Sequence, residues 1–148
     1  MSERAARLSR ESFPVVRPIA TRWMDNDVYG HVNNVHYYSY FDTAVNGWLL
    51  ERGLLAIASS PVVGLVVETG CTYFESVAFP DPLDAGIAVA RLGRSSVRYR
   101  LGIFRRGGAL AVAQGHFVHV YVERATQRPV AIPEPTRSAL SELLSGDR

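Results

Sequence analysis

The chain has 148 residues, a net charge of +2 and a charged fraction of 20%. These values predict one globular domain with its own core, and they exclude the dense basic surface of a nucleic-acid-binding arm. Because no apolar run approaches the roughly 18 residues of a membrane span, and Met1–Glu11 lacks the apolar segment of a secretory signal, we expect a cytoplasmic protein that binds neither nucleic acid nor membrane.

The first predicted elements are a strand, a polar loop and a long helix. The strand covers Val15–Ala20, the loop runs over Asp25–Gly30, and the helix extends over Asn34–Arg52. Either Asn33 or Asn34 offers a side-chain oxygen that could cap the helix. The helix carries a broad apolar surface and is therefore expected to be largely enclosed. Its central apolar face consists of Tyr38, Phe41, Val45, Trp48 and Leu49.

Four strand-like runs follow the helix. They are Val62–Phe74, Ala85–Leu92, Ser96–Arg105 and Leu110–Val122. The Gly107-Gly108 pair is typical of a hairpin turn between the last two runs. Together with the early strand, these runs predict an α+β domain in which a five-stranded, mostly antiparallel sheet covers the helix.

The remaining features limit the domain and its chemistry. We expect one domain over residues 1–148 with its core at about 14–133 and peripheral ends, where Ser138–Leu144 could form a short helix. Cys71 is the only cysteine, so no intrachain disulfide can form, and its strand-like context favours a small buried residue over a nucleophile. The histidine spacings are unsuited to a metal site, so we predict no metal.

Two acids precede the helix and are candidates for chemistry. Asp25 and Asp27 lie in a loop, where their spacing alone does not distinguish a catalytic acid from a turn-forming residue. The first turn of a helix presents unpaired backbone N–H groups, which suit a carbonyl oxygen that acquires negative charge. An acid beside such donors has the parts needed for acyl transfer.

The loop and the helix together carry a family resemblance. The pattern is Asp27, two spacers and the run Gly30-His31-Val32-Asn33-Asn34, followed by a helix with Tyr38 and Phe41-Asp42. Two later segments, Arg91–Val97 and Val122–Pro133, support it. This pattern resembles the hotdog-fold acyl-CoA thioesterases of the 4-hydroxybenzoyl-CoA thioesterase type. The resemblance implies a single hotdog domain, a sheet wrapped around a long central helix, and assembly as a homodimer or homotetramer.

The resemblance also implies roles for residues of the motif. The family's catalytic acid stands three positions ahead of the turn glycine, which is Asp27 ahead of Gly30, while Asp25 would support or cap the loop. The oxyanion donor would be the backbone amide of Asn34, with Gly30 allowing close backbone approach. His31 would hold the turn or position substrate rather than transfer protons. Attack by the acid and general-base activation of water both remain open.

For substrate binding, the resemblance points to a strand junction and to the helix. Arg91, Arg94, Ser95 and Ser96 would contact the phosphates and nucleotide of coenzyme A, although residues at a hairpin end are often simply solvated. Tyr38 would border the acyl pocket.

The function that the resemblance implies is hydrolysis of a fatty or aromatic acyl-CoA, with no cofactor beyond water. A hotdog module that binds acyl-CoA without turnover and an acyl-carrier-protein thioesterase are the alternatives. A hydratase using the helix residue Asp42 receives less support, because the rest of such a motif is absent. The acyl group cannot be chosen from the sequence.

Overall fold

The structure is a computed structural model that describes residues 6–145. A five-stranded sheet is joined by two α-helices, α1 (His36–Glu51) and α2 (Glu134–Ser141), and by short 3-10 turns at Arg10–Ser12 and Trp23–Asp25. The strands are β1 (Val15–Ala20), β2 (Val62–Tyr73), β3 (Pro82–Leu92), β4 (Ser96–Arg105) and β5 (Ala113–Glu123). They lie in the order β1-β3-β4-β5-β2, and every neighbouring pair is antiparallel. The predicted α+β class and five-stranded antiparallel sheet are confirmed.

Most element boundaries follow the predicted ones. β1 and β4 have the predicted bounds, whereas α1 begins two residues after Asn34. The Asn33 side-chain oxygen accepts the Val35 N–H at 3.1 Å, so an Asx turn precedes the helix proper. At the other end Gly53 adopts a φ of 73°, and the next N–H, from Leu54, donates to the Leu49 carbonyl at 2.8 Å. This is the glycine-ended helix that the sequence predicts.

The core lies between α1 and one face of the sheet. In β4 the alternate residues Val97, Tyr99, Leu101 and Ile103 are at most 1% exposed, as the period-2 pattern predicts. Phe41 and Val45 of α1 are fully buried, and the Phe41 ring lies 6.3 Å from that of Phe117 on β5. The buried residues of α1 are Tyr37, Tyr40, Phe41, Ala44, Val45, Trp48 and Leu49. Within residues 6–145, neither helix combines the length and apolarity needed to span a bilayer.

Buried residues also lie outside the range of about 14–133 that the sequence predicts for the core. Phe13 is 5% exposed and packs edge-on against Phe104 on the outer face of the sheet. At the other end α2 starts at Glu134, four residues before the predicted helix, and Leu140 and Leu143 are buried. The two terminal segments contain few apolar residues. Those few cover part of the sheet that would otherwise be exposed to solvent.

Gly115 of β5 occupies a position where a side chain has no room. A Cβ there would collide with the Gly70 carbonyl oxygen and lie 3.0 Å from the Phe41 ring. We therefore expect Gly115→Ala to reduce the free energy of unfolding by about 2 to 3 kcal/mol, because two strands or the helix must move. Urea denaturation measures the loss.

Gly47→Ala is the matched control for this prediction. Its Cβ would meet only the end of the flexible Arg17 side chain, at 3.2 Å, and alanine favours the helix. We expect its stability to equal or exceed that of the wild type. A Gly115→Ala variant as stable as Gly47→Ala would contradict the close approach of β2 and β5.

Candidate functional site

The loop before α1 folds into a tight turn around Gly30. The Gly30 N–H donates to the Asp27 carbonyl oxygen at 3.0 Å, and the Asp27 N–H donates to the His31 carbonyl oxygen at 2.9 Å. Gly30 has a φ of 81°, a conformation that strains residues with a Cβ. The turn therefore needs glycine at this position, and it presents the Asp27 side chain beside the start of the helix.

Two donors hold the Asp27 carboxylate. The Tyr29 N–H donates to Oδ1 at 2.9 Å, and the Asn33 side-chain Nδ2 donates to Oδ2 at 3.3 Å. Both carboxylate oxygens are therefore held, and Asp27 as a residue remains partly exposed to solvent. An oriented and accessible carboxylate can act on a bound substrate or on water.

The backbone N–H of Asn34 is an available donor one residue after Asn33, whose side chain donates to the acid. Within residues 6–145 it has no hydrogen-bond acceptor. The Asn34 carbonyl oxygen accepts the Tyr73 hydroxyl at 3.0 Å, which fixes the following peptide. Because the N–H groups at the start of a helix carry partial positive charge, this one suits a developing oxyanion.

Asn34 opens into a cleft of about 370 Å³ between the helix start and the end of β2. The lining residues are Val32, Asn34, Tyr37, Tyr73, Phe74, Glu75 and Ser76. The Tyr37 and Tyr73 rings meet edge to face at 5.0 Å and form an aromatic wall. Burial raises the pKa of Tyr37 to about 12, so its hydroxyl is neutral at physiological pH. The cleft combines an apolar wall with a few polar groups, as small-molecule sites do.

Asp25, in contrast, is inaccessible. It is fully buried, and its carboxylate accepts the Tyr40 hydroxyl at 2.6 Å and the Arg22 N–H and Nε at 2.9 and 3.0 Å. Burial raises the pKa of Asp25, but the hydrogen bonds from Tyr40 and Arg22 outweigh it, so the pKa lies below its ordinary value. Asp25 is thus a charged structural anchor, whereas Asp27 remains partly exposed to solvent.

Three other singled-out residues, His31, Tyr38 and Cys71, are not among the residues that line the cleft. His31 is exposed, and its ring forms no hydrogen bond within residues 6–145, so its backbone rather than its ring closes the turn. Tyr38 is half-buried with its ring 6.2 Å from Phe41, and it does not line the cleft. Burial raises the pKa of the Cys71 thiol to about 11, which keeps the thiol protonated and unreactive at neutral pH.

The structure adds Tyr73 and Asn33 to the site. Sequence reasoning treated Asn33 only as a possible helix cap, although an amide side chain can donate and accept at once. Tyr73 belongs to the predicted β2 run but is 39 residues from Asn34. No local pattern connects the two, so only the folded chain reveals their contact.

The residues expected to bind coenzyme A lie on the β3–β4 hairpin. Arg91 and Ser96 line a shallow hollow of about 230 Å³ on the outer face of the sheet, with Arg98 and Glu68. Arg94 is exposed, and its carbonyl oxygen accepts a guanidinium N–H of Arg137 at 3.0 Å. The Ser95 carbonyl oxygen accepts the Tyr121 N–H at 2.7 Å. The hairpin therefore brings Arg91 and Ser96 together, whereas the carbonyl oxygens of Arg94 and Ser95 form hydrogen bonds within the fold.

This hairpin and the Asp27 loop lie at opposite ends of the sheet. Tyr73, which contacts Asn34, pairs with Ala113, and Ala113 pairs with Ile103. Ser96 begins the same strand as Ile103, and seven residues of strand span about 23 Å. In a single chain, the hairpin is therefore remote from the acid.

Apolar side chains are exposed near the acid and along the sheet edge. In the loops, Val28 is 94% exposed and Trp23 is 83% exposed. On β2, which forms one edge of the sheet, Val67 is 61% exposed. Exposed apolar surface beside an unpaired strand edge is typical of a surface that a partner covers.

Comparison with known proteins places the chain in a family. A family model for the thioesterase-like superfamily matches residues 21–140. No curated protein is significantly similar to the chain. The crystal structure of the PA5185 protein from Pseudomonas aeruginosa is 56% identical, covers 95% of this chain and 98% of its own, and has a TM-score of 0.92.

Two more distant structures share the fold. The DHNA-CoA thioesterase from Staphylococcus aureus is 19% identical over 86% of this chain and 87% of its own, with a TM-score of 0.74. Slr0204, a 1,4-dihydroxy-2-naphthoyl-CoA thioesterase from Synechocystis, is 17% identical over 86% of this chain and 96% of its own, with a TM-score of 0.77. The family match covers most of the chain, including the Asp27 loop, α1, all strands after β1 and α2 except its last residue. The chain belongs to the thioesterase-like superfamily.

Proposed function

We propose that the chain is an acyl-CoA thioesterase of the 4-hydroxybenzoyl-CoA thioesterase type, with Asp27 as its catalytic acid. The observation that carries the proposal is a partly exposed Asp27 carboxylate hydrogen-bonded to Asn33, whose neighbour Asn34 has a backbone N–H with no acceptor within residues 6–145. Superfamily membership and the acyl-CoA thioesterases that share the fold agree with this reading.

In the proposed reaction the thioester carbonyl oxygen accepts the Asn34 N–H. One route is attack by an Asp27 oxygen on the carbonyl carbon, which expels the CoA thiolate and leaves an acyl anhydride that water hydrolyses. In the other route Asp27 takes a proton from a water molecule as that water attacks the carbonyl carbon, and the C–S bond then breaks to release the CoA thiolate and the free acid. Either route places negative charge on the same oxygen, and one oriented donor stabilises such a charge by about 3 to 4 kcal/mol.

The proposed enzyme works as a homodimer or homotetramer. Because the β3–β4 hairpin lies about 23 Å along the sheet from Asn34, one subunit would bind the nucleotide for the acid of another. Antiparallel pairing of the β2 edge with its copy reverses the second sheet and brings its hairpin to the first subunit's acid. The exposed Val67 on that edge agrees with such pairing.

Arg91→Ala tests the nucleotide site. We expect its KM for acyl-CoA to rise about tenfold, the equivalent of one lost charge-assisted hydrogen bond. Its KM for the matching acyl-pantetheine, which lacks the nucleotide, should not change. Arg17→Ala is the control, because this arginine pairs with Glu51 on a different part of the molecule. Equal effects of Arg91→Ala on both substrates would contradict the assignment.

The experiment that tests the function is free-thiol release by the wild-type protein. The panel contains short, medium, long and aromatic acyl-CoAs and the corresponding acyl-carrier-protein thioesters, each at saturation. We expect repeated turnover on at least one acyl-CoA. Stoichiometric binding without thiol release would identify a binding module, and release only from the carrier protein would change the substrate class.

A further inference from the structure

Asn33 lies between the acid and the oxyanion donor, and all four of its polar groups are engaged. Its backbone N–H donates to the Asp25 carbonyl oxygen at 2.8 Å, and its carbonyl oxygen accepts the His36 N–H at 3.0 Å. Its side chain donates through Nδ2 to Asp27 and accepts the Val35 N–H through Oδ1. Since a carboxylate only accepts and an N–H only donates, these two partners fix the orientation of the amide.

The backbone of Asn33 is attached to a rigid anchor. Asp25, which accepts the Asn33 N–H through its carbonyl oxygen, is fully buried. The Asp25 side chain is bound to Tyr40, which is itself 3% exposed on the second turn of α1. Asn33 is therefore connected to α1 through Asp25 and Tyr40, and its side chain donates to the Asp27 carboxylate.

We propose that Asn33 is a positioning residue that sets the orientation of the Asp27 carboxylate relative to the Asn34 backbone N–H. The inference rests on the proposed function. Asn33 is covalently joined to Asn34 and hydrogen-bonded to Asp27, so one side chain couples both halves of the reaction centre. It acts on the geometry of the transition state rather than on substrate affinity, so its loss should lower kcat and leave KM unchanged.

Two substitutions separate this role from closure of the Asx turn that precedes the helix. In Asn33→Ser the hydroxyl can still accept the Val35 N–H, but the side chain is too short to reach Asp27. In Asn33→Asp the acceptor for Val35 is retained, while the donor to Asp27 is replaced by a second carboxylate. If Asn33 only closed the Asx turn, both variants would keep full activity.

The kinetic test uses the acyl-CoA that the wild type hydrolyses fastest. We expect both variants to lose kcat about a hundredfold, with little change in KM and with thermal unfolding of the serine variant close to that of the wild type. Asn46→Asp is the matched control, because the Asn46 side chain donates to the Asp42 carbonyl oxygen on the exposed side of α1. Its kcat should equal that of the wild type.

Retained kcat in both variants would overturn the inference, and so would a fall in kcat/KM that comes only from KM. A wild type without turnover would refute the proposed function, and crystal structures then test the positioning role separately. The Asp27 carboxylate should have one orientation in the wild type and a different or mixed orientation in Asn33→Ser. An unchanged carboxylate would overturn the role of Asn33.

Discussion

Asp27→Asn should lower kcat on acyl-CoA by at least about a thousandfold, the order expected when an essential general base or nucleophile is removed. The amide is nearly the same size as the carboxylate and can still accept the Tyr29 N–H, but its NH2 group cannot accept the Asn33 Nδ2, so the loop keeps the shorter of its two hydrogen bonds. The amide is, however, a poor nucleophile and does not take a proton at neutral pH. The loss should therefore fall on kcat, with substrate binding retained.

Steady-state thiol release measures this effect, with circular dichroism and thermal unfolding to establish that the variant is folded. Asp42→Asn is the matched control, since Asp42 is an exposed acid of α1 outside the proposed reaction centre. The control should retain wild-type kcat. If the two variants were equally active, Asp27 would have no catalytic role.

Asp25→Ala should instead destabilise the fold, by about 2 to 4 kcal/mol. The substitution leaves the buried Tyr40 hydroxyl without its acceptor and removes the partner of Arg22. Arg22 is half-exposed and can regain water, which limits the loss. Urea denaturation of wild type, Asp25→Ala and Tyr40→Phe gives the comparison. Tyr40→Phe removes one bond and should lose less than Asp25→Ala.

The same carboxylate makes stability depend on pH. The pKa of Asp25 is lower in the folded protein than in the unfolded chain, because the hydrogen bonds from Tyr40 and Arg22 outweigh the opposing effect of burial. The ionised Asp25 carboxylate therefore contributes its full stabilisation of the fold above the unfolded pKa of about 3.9. This stabilisation is lost as the pH falls through the lower, folded pKa. In Asp25→Ala, the free energy of unfolding should lack this decrease at low pH. Parallel pH dependence in the two proteins below pH ~4 would contradict the assignment.

Local patterns predicted the sheet well because alternation and turn residues act over short distances. β4 shows both: four alternate residues are buried, and Gly107 adopts a φ of 77° in the turn that follows the strand. The ends of the chain were less predictable. In α2, Leu140 is buried although most other residues of the helix are polar. Its burial depends on the sheet surface that the helix contacts.

Part of the candidate site was predictable because it, too, depends on residues that are close together in the sequence. The turn at Gly30 and the helix start are local, and the sequence placed both near Asp27. The contact of Tyr73 with Asn34 depends on how β2 pairs with β5. The separation of the β3–β4 hairpin from Asp27 depends on strand direction across the whole sheet. No spacing along the chain contains that information.

The most direct test of the account is thiol release by the wild type and Asp27→Asn, side by side, on the acyl-CoA that the wild type prefers. The account predicts sustained turnover by the wild type and a loss of at least about a thousandfold in a folded variant. Comparable turnover by the two proteins would contradict catalysis by Asp27. An inactive wild type that still binds acyl-CoA would contradict hydrolysis itself.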